Sequence, residues 1–281
     1  MADTTGRLET VERDGLTLGV LDEGPIDGEP IVLLHGFPER ATSWRHVVPI
    51  LTGAGYRTLA LDQRGYAPGA RPKRRRDYVQ DELVADVKAL IDVVGGSAHV
   101  VGHDWGAANA WWTAMEHPGA VRTLTAVSVA HPAAFVDSWL RSSQGLKSWY
   151  MLAFQLPLLP EAVGSRWLDR FMRMGGMTAE EAAHVRTDVI EAGALPTALN
   201  WYRALPFNDF KRARKKVTVP TTLVWSTDDV ALGRWAPEHT EKWVDAPFEL
   251  VVLQGVSHWI PGQAPDELAD AILERVRGEA I

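Results

Sequence analysis

The chain has 281 residues, 46% of them hydrophobic and 23% charged, with a formal net charge of −7. That is enough apolar material for a sizeable core, and a single α/β domain with an insertion can reach this length. The acidic balance gives no electrostatic reason to expect nucleic acid or an anionic membrane as partner. The lack of cysteine excludes disulfides, thiolate metal sites and a cysteine nucleophile. Met1–Gly19 is polar and carries no apolar core of signal-peptide type. No apolar run approaches the ~18–20 residues of a membrane helix. A soluble, cytoplasmic protein is expected, as a monomer or homodimer. Tryptophan usually packs cores, and that is the preferred reading of the twelve; several fall between Trp105 and Trp259, where pocket lining is the alternative.

In chain order, Leu8–Val11 and Leu16–Leu21 read as a hairpin turning at Asp14-Gly15. Strands are then expected at Ile31–Leu34, Thr58–Leu61, His99–Val101, Leu124–Val129, Thr222–Trp225 and Phe248–Leu253. Helical patterns lie between them at Trp44–Leu51, Asp81–Val93, Gly106–Glu116 and Asp266–Arg277. Asp81 is placed to cap the second, and Gly95-Gly96 to end it. Strand–helix alternation predicts an α/β class with a mostly parallel sheet covered on both faces.

The alternation stops after Val129. From Pro132 to Lys216 the chain reads as helices and loops, with helices expected at Trp139–Phe154, Ala162–Met174, Ala179–Ala192 and Leu195–Arg203. The predicted division is a core of residues 1–131 and 217–281 with a helical cap, 132–216, inserted after strand 6. A cap in that position covers the carboxyl edge of the strands, where open α/β sheets bind ligands. The basic run Arg71–Arg76 reads as a solvated loop. Gly53-Ala54-Gly55 follows a helix and lacks the third glycine, so it is no dinucleotide fingerprint.

Asp104 stands just after the His99–Val101 strand and just before a small-residue helix, in Gly102-His103-Asp104-Trp105-Gly106. Gly-x-nucleophile-x-Gly in a strand–turn–helix setting is a nucleophile elbow. Its partners follow in the order nucleophile, acid, histidine. His258 lies in the loop after the last strand, and Asp229 in the loop after Thr222–Trp225. Asp228 competes with Asp229 for the role of the acid that orients His258. Early in the chain, His35-Gly36-Phe37-Pro38-Glu39 forms a turn that supplies one oxyanion-hole N–H, from Phe37, while Trp105 supplies the other. Pro38 is a candidate for a cis peptide bond. His99, His117 and His131 show no ligand spacing, so neither metal nor cofactor is expected.

An aspartate nucleophile carries its own chemical message. Serine attacking an alkyl carbon would leave an ether that water does not easily cleave. A carboxylate leaves an ester, which a His-activated water can hydrolyse. The reading is substitution at sp³ carbon.

With these residues assembled, the sequence resembles the epoxide hydrolases of the α/β-hydrolase fold over nearly the whole chain. His35–Glu39 and Gly102–Gly106 match that family's motifs. Asp62-Gln63-Arg64-Gly65-Tyr66 resembles its Asp-x-Arg-Gly-Tyr loop, and Trp225–Asp229 its Trp-Gly-x-x-Asp, which favours Asp229 as the acid. Two cap motifs also match, Tyr150-Met151-Leu152-Ala153-Phe154-Gln155 and Asn200-Trp201-Tyr202-Arg203. The resemblance implies that Tyr150 and Tyr202 activate the epoxide oxygen and that Phe37, Trp105, Phe154 and Trp259 bind substrate. The implied partners are a small-molecule epoxide and water. The chain departs from the family pattern at Leu156, Ser226 and Ala107.

Two rivals remain at this point. A dehalogenase shares the triad, but its halide-binding Asn would replace Phe37, or its Arg would replace Trp105. A catalytically silent ligand-binding relative would not require the intact constellation.

Overall fold

Asp14 and Gly15 both adopt positive φ, at 50° and 77°. This conformation suits the two-residue turn of a right-twisted hairpin. It joins β1 (Thr10–Arg13) to β2 (Leu16–Glu23) with Arg13 opposite Leu16. The first strand therefore sits two residues later than the sequence suggested. Residues 6–156 and 168–278 are described by the computed structural model.

The remaining strands are β3 (Pro30–Leu34), β4 (Arg57–Leu61), β5 (Ala98–His103), β6 (Val121–Val127), β7 (Thr221–Ser226) and β8 (Phe248–Leu253). They form one eight-stranded sheet in the order β1-β2-β4-β3-β5-β6-β7-β8. β2 runs antiparallel to β4, and every pair from β4 to β8 is parallel. Central β5 and β7 are buried at every residue, as strands covered by helices on both faces must be. Because the strands are parallel, the carboxyl ends of β3, β5, β6, β7 and β8 share one edge. The loops carrying His35–Glu39, Asp104, Asp229 and His258 therefore converge.

Helices on the two faces include α1 (Val48–Gly53), α2 (Gln80–Val93), α3 (Trp105–Glu116) and the C-terminal Pro265–Arg277. The stretch expected as a helix at Trp44–Leu51 is a 3₁₀ turn, Ala41–Trp44, followed by α1. Asp81 does not cap α2. The helix starts one residue earlier, after Val79, and Asp81 lies in its first turn, where a carboxylate still favours the helix dipole. β6 ends at Val127 because Ser128 takes φ 68°, and the strand expected to run to Val129 stops there.

Between β6 and β7 the described residues form helices and loops and no strand. The expected Trp139–Phe154 helix is three pieces: α4 (Pro132–Arg141), α5 (Gln144–Lys147) and α6 (Trp149–Ala153). Ser142 breaks it. Its backbone is extended and its Oγ donates back to the Ser138 carbonyl at 2.8 Å, competing with the helical ladder. The expected Ala162–Met174 helix falls partly outside the described residues, of which 168–174 are helical. Ala179–Val185 is capped by Thr178 and Glu181 and continues into a π-helical turn, Arg186–Glu191. Leu195–Ala198 and Asn200–Arg203 replace the single last helix.

The loop after β4 fastens this insert to the sheet. Trp201 Nε1 donates to the Arg64 carbonyl at 2.7 Å, and Thr197 Oγ1 to the Gly65 carbonyl at 2.6 Å. Gly65 has φ 98°, and a Cβ there would meet the Thr197 carbonyl at 3.1 Å. Arg64 is held in turn by Asp86, at 2.7 and 2.8 Å. The basic run is mostly exposed, although Arg71 donates to the carbonyls of Tyr66 and Ala192. No helix among the described residues is long and apolar enough to cross a membrane.

Candidate active site

Asp104 occupies φ 51°, ψ −119°, a strained setting for a non-glycine residue, at the turn from β5 into α3. Two glycines make the turn possible. A Cβ on Gly102 would collide with the Gly106 carbonyl, and one on Gly106 with the Leu34 carbonyl. Gly36 has the same constraint from the other side, since a Cβ there would stand 2.5 Å from Asp104 Cβ. These close approaches let the β3 loop fold directly over Asp104.

That loop brings the Phe37 N–H to Asp104 Oδ1 at 2.8 Å, and the Phe37–Pro38 peptide bond is cis. The Trp105 N–H, expected as the second donor, makes no hydrogen bond with a described residue. It is the first amide of α3, a position that helix geometry leaves unpaired. His258 Nε2 lies 3.5 Å from Asp104 Oδ2, an ion-pair distance. His258 Nδ1 stands 2.7 Å from Asp229 Oδ2. The other Asp229 oxygen accepts from the N–H groups of Ala231 and Leu232, both at 2.8 Å. Asp228 is exposed and accepts from the Thr227 hydroxyl, so it does not reach the histidine.

The charges bind one another. Burial raises the Asp104 carboxyl, but His258, His103 and the Phe37 N–H outweigh it and hold the group below 3.8. Burial lowers His258, yet Asp229 and Asp104 more than reverse this and place it well above 6.5. The His258 carbonyl accepts from His103 Nε2 at 2.9 Å and from Ser128 Oγ at 3.1 Å. The sequence did not mark either residue. His103 sits inside the elbow motif, but nothing in spacing says that its ring turns toward the histidine loop.

A cavity of about 630 Å³ opens beside Asp104 and is lined by Tyr150 and Tyr202 from the insert, with Trp105 and Gln155. The tyrosine rings lie 6.2 Å apart, centroid to centroid. Burial and the Asp104 charge push both phenols well above 10, which keeps their protons on at neutral pH. The two tyrosine segments are clamped together. Arg203 donates to the carbonyls of Phe154 (3.0 Å) and Leu156 (2.9 Å), and Gln155 Nε2 donates to the Tyr202 carbonyl at 2.6 Å.

Of the four residues expected to bind substrate, only Trp105 lines this cavity. Phe37, Phe154 and Trp259 do not. They are buried in the aromatic cluster behind it, where Phe37 packs edge-on to Tyr202 at 5.1 Å and Phe154 to the same ring at 4.9 Å. Large aromatics there hold the tyrosines in place. The sequence missed the opposite wall, formed by Trp112, Phe135, Val136 and Trp139, because helical aromatic spacing reads the same for a core face and a cavity face.

The sequence profile of the alpha/beta hydrolase family matches residues 31–271. The AB hydrolase superfamily protein YfhM of Bacillus subtilis (strain 168) is 35% identical over 97% of this chain and 99% of its own. Epoxide hydrolase A of Mycobacterium tuberculosis is 32% identical over 99% of each chain. Among solved structures, a member of the novel epoxide hydrolases from metagenomes of hot environments superposes with a TM-score of 0.84. It is 30% identical, with 97% of this chain and 99% of that one covered. Epoxide Hydrolase A from Mycobacterium thermoresistibile gives 0.82 at 29% identity, covering 97% and 98%. The strand order, the elbow and these matches agree, and the chain belongs to the alpha/beta hydrolase family.

Proposed function

We propose that the protein hydrolyses an epoxide to a vicinal diol through a covalent ester on Asp104. The observation that carries the reading is the meeting, in one cavity, of a carboxylate at a nucleophile elbow with two protonated phenols. The relatives and solved neighbours named as epoxide hydrolases support the same reaction.

In the first half-reaction an Asp104 oxygen attacks one epoxide carbon, and the carbon–oxygen bond breaks with its electron pair going to oxygen. Tyr150 and Tyr202 hydrogen-bond to that oxygen, and one of them supplies its proton. The product is a hydroxyalkyl ester. In the second, His258 takes a proton from water while the water oxygen attacks the ester carbonyl. Asp229 holds the imidazole in the tautomer this requires. The Phe37 and Trp105 N–H groups stabilise the tetrahedral oxyanion. Collapse breaks the bond to the alkyl oxygen, which takes the proton from His258; the proton left on the new Asp104 carboxyl returns to the tyrosinate, restoring carboxylate and phenol, and the diol leaves. In this scheme residues 132–216 act as a cap on a core of 1–131 and 217–281, excluding water from the opening epoxide. A cytoplasmic location is part of the same proposal.

Incubation with styrene oxide, 1-chlorobutane and fluoroacetate separates the reading from its nearest rival. Diol from styrene oxide without halide from the other two is expected. Halide release without diol would overturn it in favour of a dehalogenase.

A further inference from the structure

The cavity runs well past the reacting centre, and its wall is almost wholly apolar. No Arg, Lys or His side chain lines it among the described residues. Three side-chain amides do: Gln80, Gln155 and Asn208. Gln155 is engaged at the tyrosine end, on the Tyr202 carbonyl. Gln80 and Asn208 have no part in the chemistry above.

The orientation of Gln80 is dictated by a buried relay that starts at a main-chain oxygen. The His35 carbonyl can only accept, so Gln63 must turn its Nε2 to it, at 2.6 Å. Gln63 Oε1 then receives Asn109 Nδ2 at 2.7 Å, and Asn109 Oδ1 receives Gln80 Nε2 at 2.8 Å. Flipping any one amide would set like ends against each other. The relay therefore delivers one polarity to its free end, the Gln80 carbonyl oxygen. Gln80 is 5% exposed, and its Oε1 has no hydrogen-bond partner among the described residues. Beside it, Asn208 Oδ1 accepts from the Gln80 main-chain N–H at 2.9 Å, which leaves Asn208 Nδ2 as the free donor. A free acceptor and a free donor thus belong to two hydrogen-bonded residues that both line an apolar wall, where an unmet polar group costs free energy until a ligand or water meets it.

We propose that Gln80 Oε1 and Asn208 Nδ2 form a specificity subsite for a neutral carboxamide or hydroxyl on the non-reacting arm of the substrate. An amide N–H donates to Gln80 and its carbonyl accepts from Asn208; a hydroxyl does both with one atom. A carboxylate has no proton for Gln80 and meets no cation in the wall. Asn109, the contact of Gln80, lies five residues beyond Asp104 on α3, about 7.5 Å of helix rise. The arm must span a similar length. This inference rests on the epoxide reading of Asp104.

The test compares 6,7-epoxyheptanamide, 6,7-epoxyheptanoate and 1,2-epoxyoctane, whose arms have that reach. The wild type is expected to prefer amide to carboxylate in kcat/KM. The amide-to-octane ratio should fall about 10-fold in Gln80→Met, as for the loss of a buried hydrogen bond. Asn208→Asp keeps an oxygen for the Gln80 main-chain N–H and exchanges the donor for a carboxylate oxygen, which repels the amide carbonyl, so its ratio should fall about 3- to 10-fold even if Gln80→Met folds poorly. Ratios unchanged in both variants would overturn the subsite. A second arm needs no turnover: heptanamide should quench the fluorescence of the cavity tryptophans at lower concentration than heptanoate, and Gln80→Met should abolish that difference. Amide preference in binding with no diol from any epoxide leaves the subsite standing and overturns the epoxide reading. Diol formation with no amide preference in either arm does the reverse.

Discussion

Asp229 Oδ2 stands 2.7 Å from His258 Nδ1, while the adjacent carboxylate of Asp228 faces solvent. Two backbone N–H groups fix the other Asp229 oxygen, so the carboxylate cannot turn away. Asn at 229 would present an NH₂ to Nδ1 and force the tautomer that cannot accept a proton at Nε2. Diol formation by Asp229→Asn is expected to fall about 10³- to 10⁴-fold. Asp228→Asn should stay within about 2-fold, the usual result for an exposed side chain away from the chemistry. The reverse pattern in steady-state assays would move the acid role to Asp228.

Removing the base should strand the intermediate. His258→Gln leaves Asp104 able to attack while no group activates water. Intact-protein mass spectrometry after styrene oxide should show one added epoxide mass, mapped to the peptide holding Asp104. Asp104→Ala should show neither the adduct nor turnover above about 10⁻³ of wild type. An adduct elsewhere would refute the assigned nucleophile.

The phenols can be tested as donors. Burial and the Asp104 charge hold both protonated at neutral pH, so each is available to the opening oxygen. Tyr150→Phe with Tyr202→Phe should lower the alkylation rate about 10²- to 10⁴-fold, measured by single-turnover tryptophan fluorescence. A double variant as fast as wild type would remove both tyrosines from the mechanism.

The ion pair at the site makes a signed prediction. His258 titrates above its ordinary 6.5 because Asp229 and Asp104 outweigh burial. A folded value above the unfolded one gives stability that is complete below about pH 6.5 and is lost as pH rises through the folded value. Asp104→Asn removes one of the raising charges, so Tm should fall less steeply on the alkaline side, and the imidazole ¹⁵N shifts should titrate at lower pH. Parallel Tm profiles would show that Asp104 does not hold the imidazolium. The same logic serves turnover: esterification erases the Asp104 charge and releases His258 toward the neutral base it must be.

Arg203 is buried with its donors on the carbonyls of Phe154 and Leu156. Arg203→Met leaves these acceptors without that partner and loosens the segment bearing Tyr150 against that bearing Tyr202. Stability should drop by about 2–4 kcal/mol in urea unfolding, with kcat lowered alongside. A variant of wild-type stability would mean that the clamp contributes little.

Asp104, His258 and the two tyrosine motifs were legible in the sequence because their chemistry is local. An elbow needs Gly102 and Gly106 at fixed offsets, and a carboxylate nucleophile names the bond it can cleave wherever the fold puts it. Strand alternation likewise predicted a parallel sheet, since period and length survive without knowledge of neighbours. The choice between Asp228 and Asp229 rested on motif position alone, and one residue decides which side chain turns inward. Pocket-lining was harder still. Phe154 and Trp259 looked like substrate contacts, yet Phe154 packs against the tyrosines and Trp259 against His103 and His258, while Gln80 and Asn208, which no motif marks, reach the cavity wall. Whether an aromatic or an amide faces ligand or core depends on which helix lies opposite, and that is a relation between segments far apart in the chain. The sequence by itself determined the elbow and the residue types from which the attack on an alkyl carbon is proposed. The tertiary structure decided which surfaces surround it, because only packing of the insert on the sheet turns side chains into walls.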